Sequence, residues 1–157
     1  MRPTSATGIR GFTLVEILVV VAIAGILVAL AAANLFPSNE QTARRDAANV
    51  ALAVEHARDA AWFGGRPTAI TFNEGRMREW RYSGNAWEAG ATREQAMAGD
   101  MRVTGLFVDG AALKPDERLV FMPDGLGIPF RIALDVRGLA YAIEGDAAGS
   151  VAMVEAR

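Results

Sequence analysis

The chain contains no cysteine, so its fold rests on packing and not on disulfides; an oxidising compartment permits such bonds without requiring them, and their absence does not locate the protein. It has a single histidine, His56, set among charged residues, and no pairing of a nucleophile with a base. Nothing in it supports catalysis, and we read it as a non-enzyme, with His56 as a solvated helix residue. Asp109, Asp116, Glu117, Asp124, Asp135 and Asp146 are scattered at turn-like positions without the spacing of an EF-hand loop, so we expect surface acids, no metal site and no cofactor. A basic tail is also missing. The last nine residues carry one cation, Arg157, whereas phosphate attraction supplies most non-specific nucleic-acid affinity; a nucleic-acid partner is not expected.

From Ile17 to Ala33 there is neither a charged nor a strongly polar residue. As a helix, residues 12–36 are long enough to cross a hydrocarbon core of roughly 30 Å. Arg2 and Arg10 precede the run and no further cation follows until Arg44 and Arg45, an asymmetry that keeps the N-terminus cytoplasmic and exports everything beyond about residue 36. A secretory signal is the competing reading, since Ala29-Leu30-Ala31 or Ala31-Ala32-Ala33 has the small residues of a cleavage site. Against it stand the length of the run and Glu16 near its start. A plain anchor does not explain Glu16 either: an acid at a membrane-helix centre costs roughly 2.5–3.5 kcal/mol, less near an end, and such residues usually have a partner.

Gly11-Phe12-Thr13-Leu14-Val15-Glu16, followed by an apolar helix, resembles the class III signal of type IV pilins and type II secretion pseudopilins. The resemblance implies cleavage between Gly11 and Phe12 by a prepilin peptidase and N-methylation of Phe12. It also implies that Glu16 pairs with the Phe12-type amine of a neighbouring subunit and so sets axial register in a filament; a pair within one chain, four residues apart on one helix face, remains open. Many major pilins carry a proline near the position of Ala33, and its absence argues for a minor subunit. Gly25 is either a packing notch or a tolerated membrane glycine.

Beyond Pro37-Ser38-Asn39, which reads as a break with a Ser or Asn cap, Ala43, Ala47, Val50, Val54, Ala57 and Ala61 recur at helical spacing. That stripe is suited to packing on a sheet, and Gly64-Gly65 ends the helix. Short β-like runs follow: 68–72, 77–82, 102–108, 118–122, 130–136, 139–143 and 151–154. Turn residues separate them, including Asn73-Glu74-Gly75, Ser83-Gly84-Asn85, Asp109-Gly110 and Arg137-Gly138. The stretch from Ala86 to Asp100 has no clear pattern. Arg76, Arg78, Trp80 and Tyr82 would share one strand face, either as a binding surface or as arginine stems lying over aromatics.

Phe121-Met122-Pro123-Asp124-Gly125, then Pro129-Phe130-Arg131, Gly145-Asp146 and Gly149-Ser150-Val151, resembles the C-terminal pattern of the GspH and FimT branch of that superfamily. Phe121, Pro123, Gly125, Phe130 and Gly145 read as its turn and fold signature, with both phenylalanines facing the core. The fold expected is α+β and type IV pilin-like: a leader over 1–11, a transmembrane and filament-core helix over 12–36, its amphipathic half over 37–65, and a β-rich head over 66–157 in two antiparallel sheets. The function implied is that of a minor pseudopilin of a type II secretion system, in the inner membrane with a periplasmic head. Its implied partners are other pseudopilins, the prepilin peptidase and an inner-membrane assembly platform. A FimT-like minor pilin acting in priming, adhesion or DNA uptake is the alternative, and a single-span periplasmic binding module a third. Removing residues 1–11 takes away Arg2 and Arg10 and leaves 14 basic against 18 acidic residues, a net charge of −4, which favours the secretion reading over DNA capture.

Overall fold

In the computed structural model the described residues are 13–35, 38–90, 94–114 and 116–156. They fall into two units divided between Ser38 and Asn39. The first is helix α1, Leu14–Leu35. The second opens with helix α2, Asn39–Gly64, whose buried residues are the expected Ala43, Ala47, Val50, Val54, Ala57 and Ala61. Four alanines and two valines on one face contribute little burial each, but they let the helix backbone come close to what it covers. Gly65 ends the helix at φ +61°, the left-handed position that glycine fills without strain. Phe12, Phe36 and Pro37 lie outside the described residues.

The head's strands form two antiparallel sheets. In the first, β1 (Thr68–Asn73) pairs with β2 (Arg76–Ser83), which pairs in turn with β3 (Ala86–Ala89) and β4 (Gln95–Ala96); β7 (Leu119–Phe121) takes the other side of β1. In the second, β5 (Met101–Val108) lies between β6 (Ala111–Ala112) and β8 (Phe130–Val136), and β9 (Leu139–Gly145) joins β8 to β10 (Val151–Glu155). Four hairpins are built the same way. Glu74-Gly75, Gly84-Asn85, Asp109-Gly110 and Arg137-Gly138 each place two consecutive residues at positive φ, the type I′ geometry whose twist matches that of the flanking strands.

Helix α2 packs on both sheets. Ile70, Phe72, Leu119 and Phe121 from the first and Leu106, Ile132, Leu134, Val136, Tyr141 and Ile143 from the second close one core with the alanine–valine face. Burying each large apolar side chain is worth about 1.5–3 kcal/mol, so the strands supply most of the core's stability while the helix supplies fit. Strand β8 shows the half-buried alternation of a sheet with one dry face. Thr68 ties helix to sheet by donating its hydroxyl to the Ala57 carbonyl at 2.6 Å.

Several boundaries differ from the sequence reading. The strand expected over 118–122 shrinks to Leu119–Phe121, because Pro123 at the next turn has no amide to donate and the ladder stops short of it. The unpatterned stretch from Ala86 holds β3 and β4, short edge strands with exposed or half-buried side chains and hence no hydrophobic period to detect. Strand β6 was not anticipated either; it is a two-residue return after the Asp109-Gly110 turn.

Candidate functional site

Helix α1 is the first candidate. Every side chain from Thr13 to Ala32 is exposed, and the stretch Leu14–Ala32 is long and apolar enough to cross a membrane. The 22 residues of α1 rise about 33 Å, against a hydrocarbon core of roughly 30 Å. Its 13 Leu, Ile and Val residues, at roughly −0.3 to −0.6 kcal/mol each, outweigh the cost of one acid at the helix end. Thr13 starts the helix. Its hydroxyl accepts from the Glu16 amide at 3.3 Å and its carbonyl from the same amide at 3.0 Å. Thr13 and Glu16 thus have the residue types and spacing of a capping box, a signal readable in Thr-x-x-Glu and missed in favour of the signal-peptide reading. Glu16 is exposed in the first turn, where its charge complements the helix dipole. Gly11 and Phe12 lie outside the described residues, so the proposed scissile bond has no structural description. Gly25 has open space around it within α1.

The second candidate is the distal turn cluster. Phe121 and Phe130 are both buried and meet edge to face, ring centroids 5.9 Å apart at 78°. Gly145 stands opposite Phe130 in the β8–β9 ladder. A Cβ there would run into the Phe130 ring, so glycine is required for the ring to lie across the neighbouring strand. Pro123 and Asp124 occupy a turn that Gly125 leaves at φ +73°, and the Asp124 carboxylate accepts from the Leu126 amide at 3.1 Å. The five signature residues therefore serve turn and core.

Two further residues belong to this cluster. Arg58 on α2 donates to the Gly149 carbonyl and, at 2.7 Å, to Asp59, fastening the helix to the turn before β10. A Cβ on Gly127 would meet the Asp146 carbonyl, so the 125–128 segment can lie against that turn only with glycine there. Neither stood out in the sequence: one arginine on a charged helix face and one glycine in a loop carry no local signal for contacts made across the fold.

The arginine–aromatic face is internally satisfied. Arg78 lies 5.5 Å and Arg118 4.5 Å from the Trp80 ring centroid, with Arg118 also 5.5 Å from Trp87. Glu94 pairs with Arg76 at 3.2 Å and Arg78 at 3.1 Å. The Arg78 hydrogen bond, joined by that of Arg76 and opposed by desolvation, holds the Glu94 carboxyl below its ordinary value. Arginine stems over aromatics is the reading this geometry supports. The acids are turn devices. Asp135 accepts from the Gly138 amide, Asp146 from Ser150 and Glu117 from Lys114; Asp109 is itself a turn residue at φ +49°. Among the described residues no three His, Asp or Glu side chains converge on a point that could hold a metal. His56 is exposed.

Residues 7–32 match the family described as the prokaryotic N-terminal methylation motif. No curated protein matches the sequence. Two solved structures of the minor pseudopilin EpsH from the type 2 secretion system of Vibrio cholerae share the fold, with TM-scores of 0.59 and 0.58. Each is 12% identical over 72% of this chain and 95% of the other. A motif over residues 7–32 and a fold shared over 72% of the chain thus come from two independent comparisons.

Proposed function

We propose that the chain is a minor pseudopilin of a type II secretion system, which acts by assembling through its N-terminal helix into a periplasmic pseudopilus and performs no chemistry itself. One observation carries this reading: a prokaryotic methylation motif over residues 7–32 precedes a head with the fold of the minor pseudopilin EpsH. In this reading a prepilin peptidase cuts between Gly11 and Phe12, and Phe12 is methylated. Helix α1 anchors the protein in the inner membrane with the head in the periplasm, and then packs against other pseudopilins on the assembly platform. Glu16 sets the register, because a carboxylate in an apolar filament core is stable only beside a cation and a neighbour's Phe12-type amine is one.

Replacing Glu16 tests this. Glu16→Ala leaves the head folded, with an unchanged melting temperature, while incorporation into the pseudopilus and secretion of folded substrates fall at least tenfold, as expected from losing about 1.4 kcal/mol or more of interaction. Normal secretion by that variant contradicts the register role.

A further inference from the structure

Beyond Met1 the chain has five methionines, and three of them, Met77, Met97 and Met101, line one cavity of about 200 Å³. Strand register brings the first two together. Met77 on β2 stands opposite Phe72 of β1, on the sheet face that packs into the core, and opposite Gln95 of β4 on its other side. The Met97 amide donates to the Gly75 carbonyl at 2.9 Å and so carries the β4 pairing two residues further. Residues two apart in an extended chain share a face, which places Met97 diagonal to Met77 on the core side, a separation of roughly 7–8 Å that long side chains span. Met101 comes from the other sheet. Its amide closes a turn onto the Ala98 carbonyl at 2.8 Å, so the chain passes directly from Met97 to the start of β5, where the Met101 side chain is buried. Helix α2 covers the cavity with Asp46 and Asn49; Asn49 and Gln95 line it and are exposed, so it reaches the surface.

We propose that this cavity binds one Cu(I) ion through the thioethers of Met77, Met97 and Met101. The proposal stands on the fold of the head and not on the assembly reading above. Three features select this ligand. Thioether sulfur is a soft donor that suits Cu(I), whereas calcium, magnesium and manganese take oxygen. Among the described residues the cavity has no histidine and one carboxylate, Asp46, which lies 3.8 Å from Arg137. That set is too poor for zinc or Cu(II), which call for imidazole and oxygen. Methionine in a core ordinarily fills an irregular gap. Here three flexible side chains wall a gap and leave it open, larger than the roughly 150 Å³ that admits benzene. The acids scattered at turns, which argue against a calcium site, have no bearing on sulfur ligands.

Titration of the full-length protein in detergent with Cu(I), kept reduced by ascorbate and competed with a chromogenic Cu(I) chelator, tests this. With no cysteine in the chain, no thiol competes. The expected result is one Cu(I) per chain, with an X-ray absorption spectrum whose nearest shell is sulfur. Met77→Leu and Met97→Leu keep volume and apolarity, an exchange that cores tolerate, so both variants should fold. Each should weaken binding by more than the roughly 10–100-fold that follows loss of an outer-shell partner, while Met153→Leu, outside the cavity, should bind as wild type does. Absence of stoichiometric uptake, a nearest shell of nitrogen and oxygen, or undiminished binding by the Met77→Leu, Met97→Leu double variant overturns the proposal.

Discussion

Gly145 is set by a single contact. A Cβ there would collide with the Phe130 ring, which is buried and also meets Phe121 edge to face. Gly145→Ala should therefore lower stability by about 1–3 kcal/mol, the usual range for overpacking a filled core, and thermal unfolding of the variant would show it. An unchanged melting temperature would mean that the ring yields. Tyr141 gives a second test at this scale. Burial first, then the nearby charges of Glu155 and Glu40, push its phenol above the ordinary value of 10.0, with Arg44 opposing. A phenol raised on folding contributes stability that is fully present below its unfolded value and lost as pH rises through the folded one. Wild-type protein should lose stability in alkali above pH 10 and Tyr141→Phe should lose less of it, which denaturant titrations at pH 9 and 11 would read.

At the scale of elements, the alanine stripe of α2 decides how near the helix lies to both sheets. Ala57 is buried and its carbonyl accepts from Thr68. Ala57→Leu should force the helix away, cost roughly 1–3 kcal/mol and expose apolar surface; an unaltered melting temperature would show that the stripe is not close-packed. The stripe was legible in the sequence because helical period and burial coincide along it. So were β1, β2, β5, β8, β9 and β10, bounded by turns whose glycines announce positive φ. What escaped was whatever depends on pairing alone. Strands β3, β4 and β6 carry no apolar alternation because they lie at edges, and the Arg58 and Gly127 contacts join residues far apart in sequence. The signature residues were readable as turn and core, but the clash that demands Gly145 arises only when β8 and β9 are in register.

For the whole molecule, the two units carry different tasks. The head has a closed core of its own, whereas α1 exposes Leu, Ile and Val along its length and needs lipid or other helices around it. In the proposed function both surroundings are met in turn, the membrane before assembly and neighbouring subunits after it. A large residue at the proposed cleavage position, as in Gly11→Leu, should leave the head folded and the chain uncut in the membrane; normal maturation of that variant would contradict the assigned signal.

The most direct test of this account is the N-terminus of the membrane-bound protein, determined by mass spectrometry in cells with and without prepilin peptidase. The account predicts a start at N-methylated Phe12 that depends on the peptidase, with α1 retained on the mature chain. A start after Ala31 to Ala33, or an uncut chain in both strains, would contradict it and remove the basis for filament assembly.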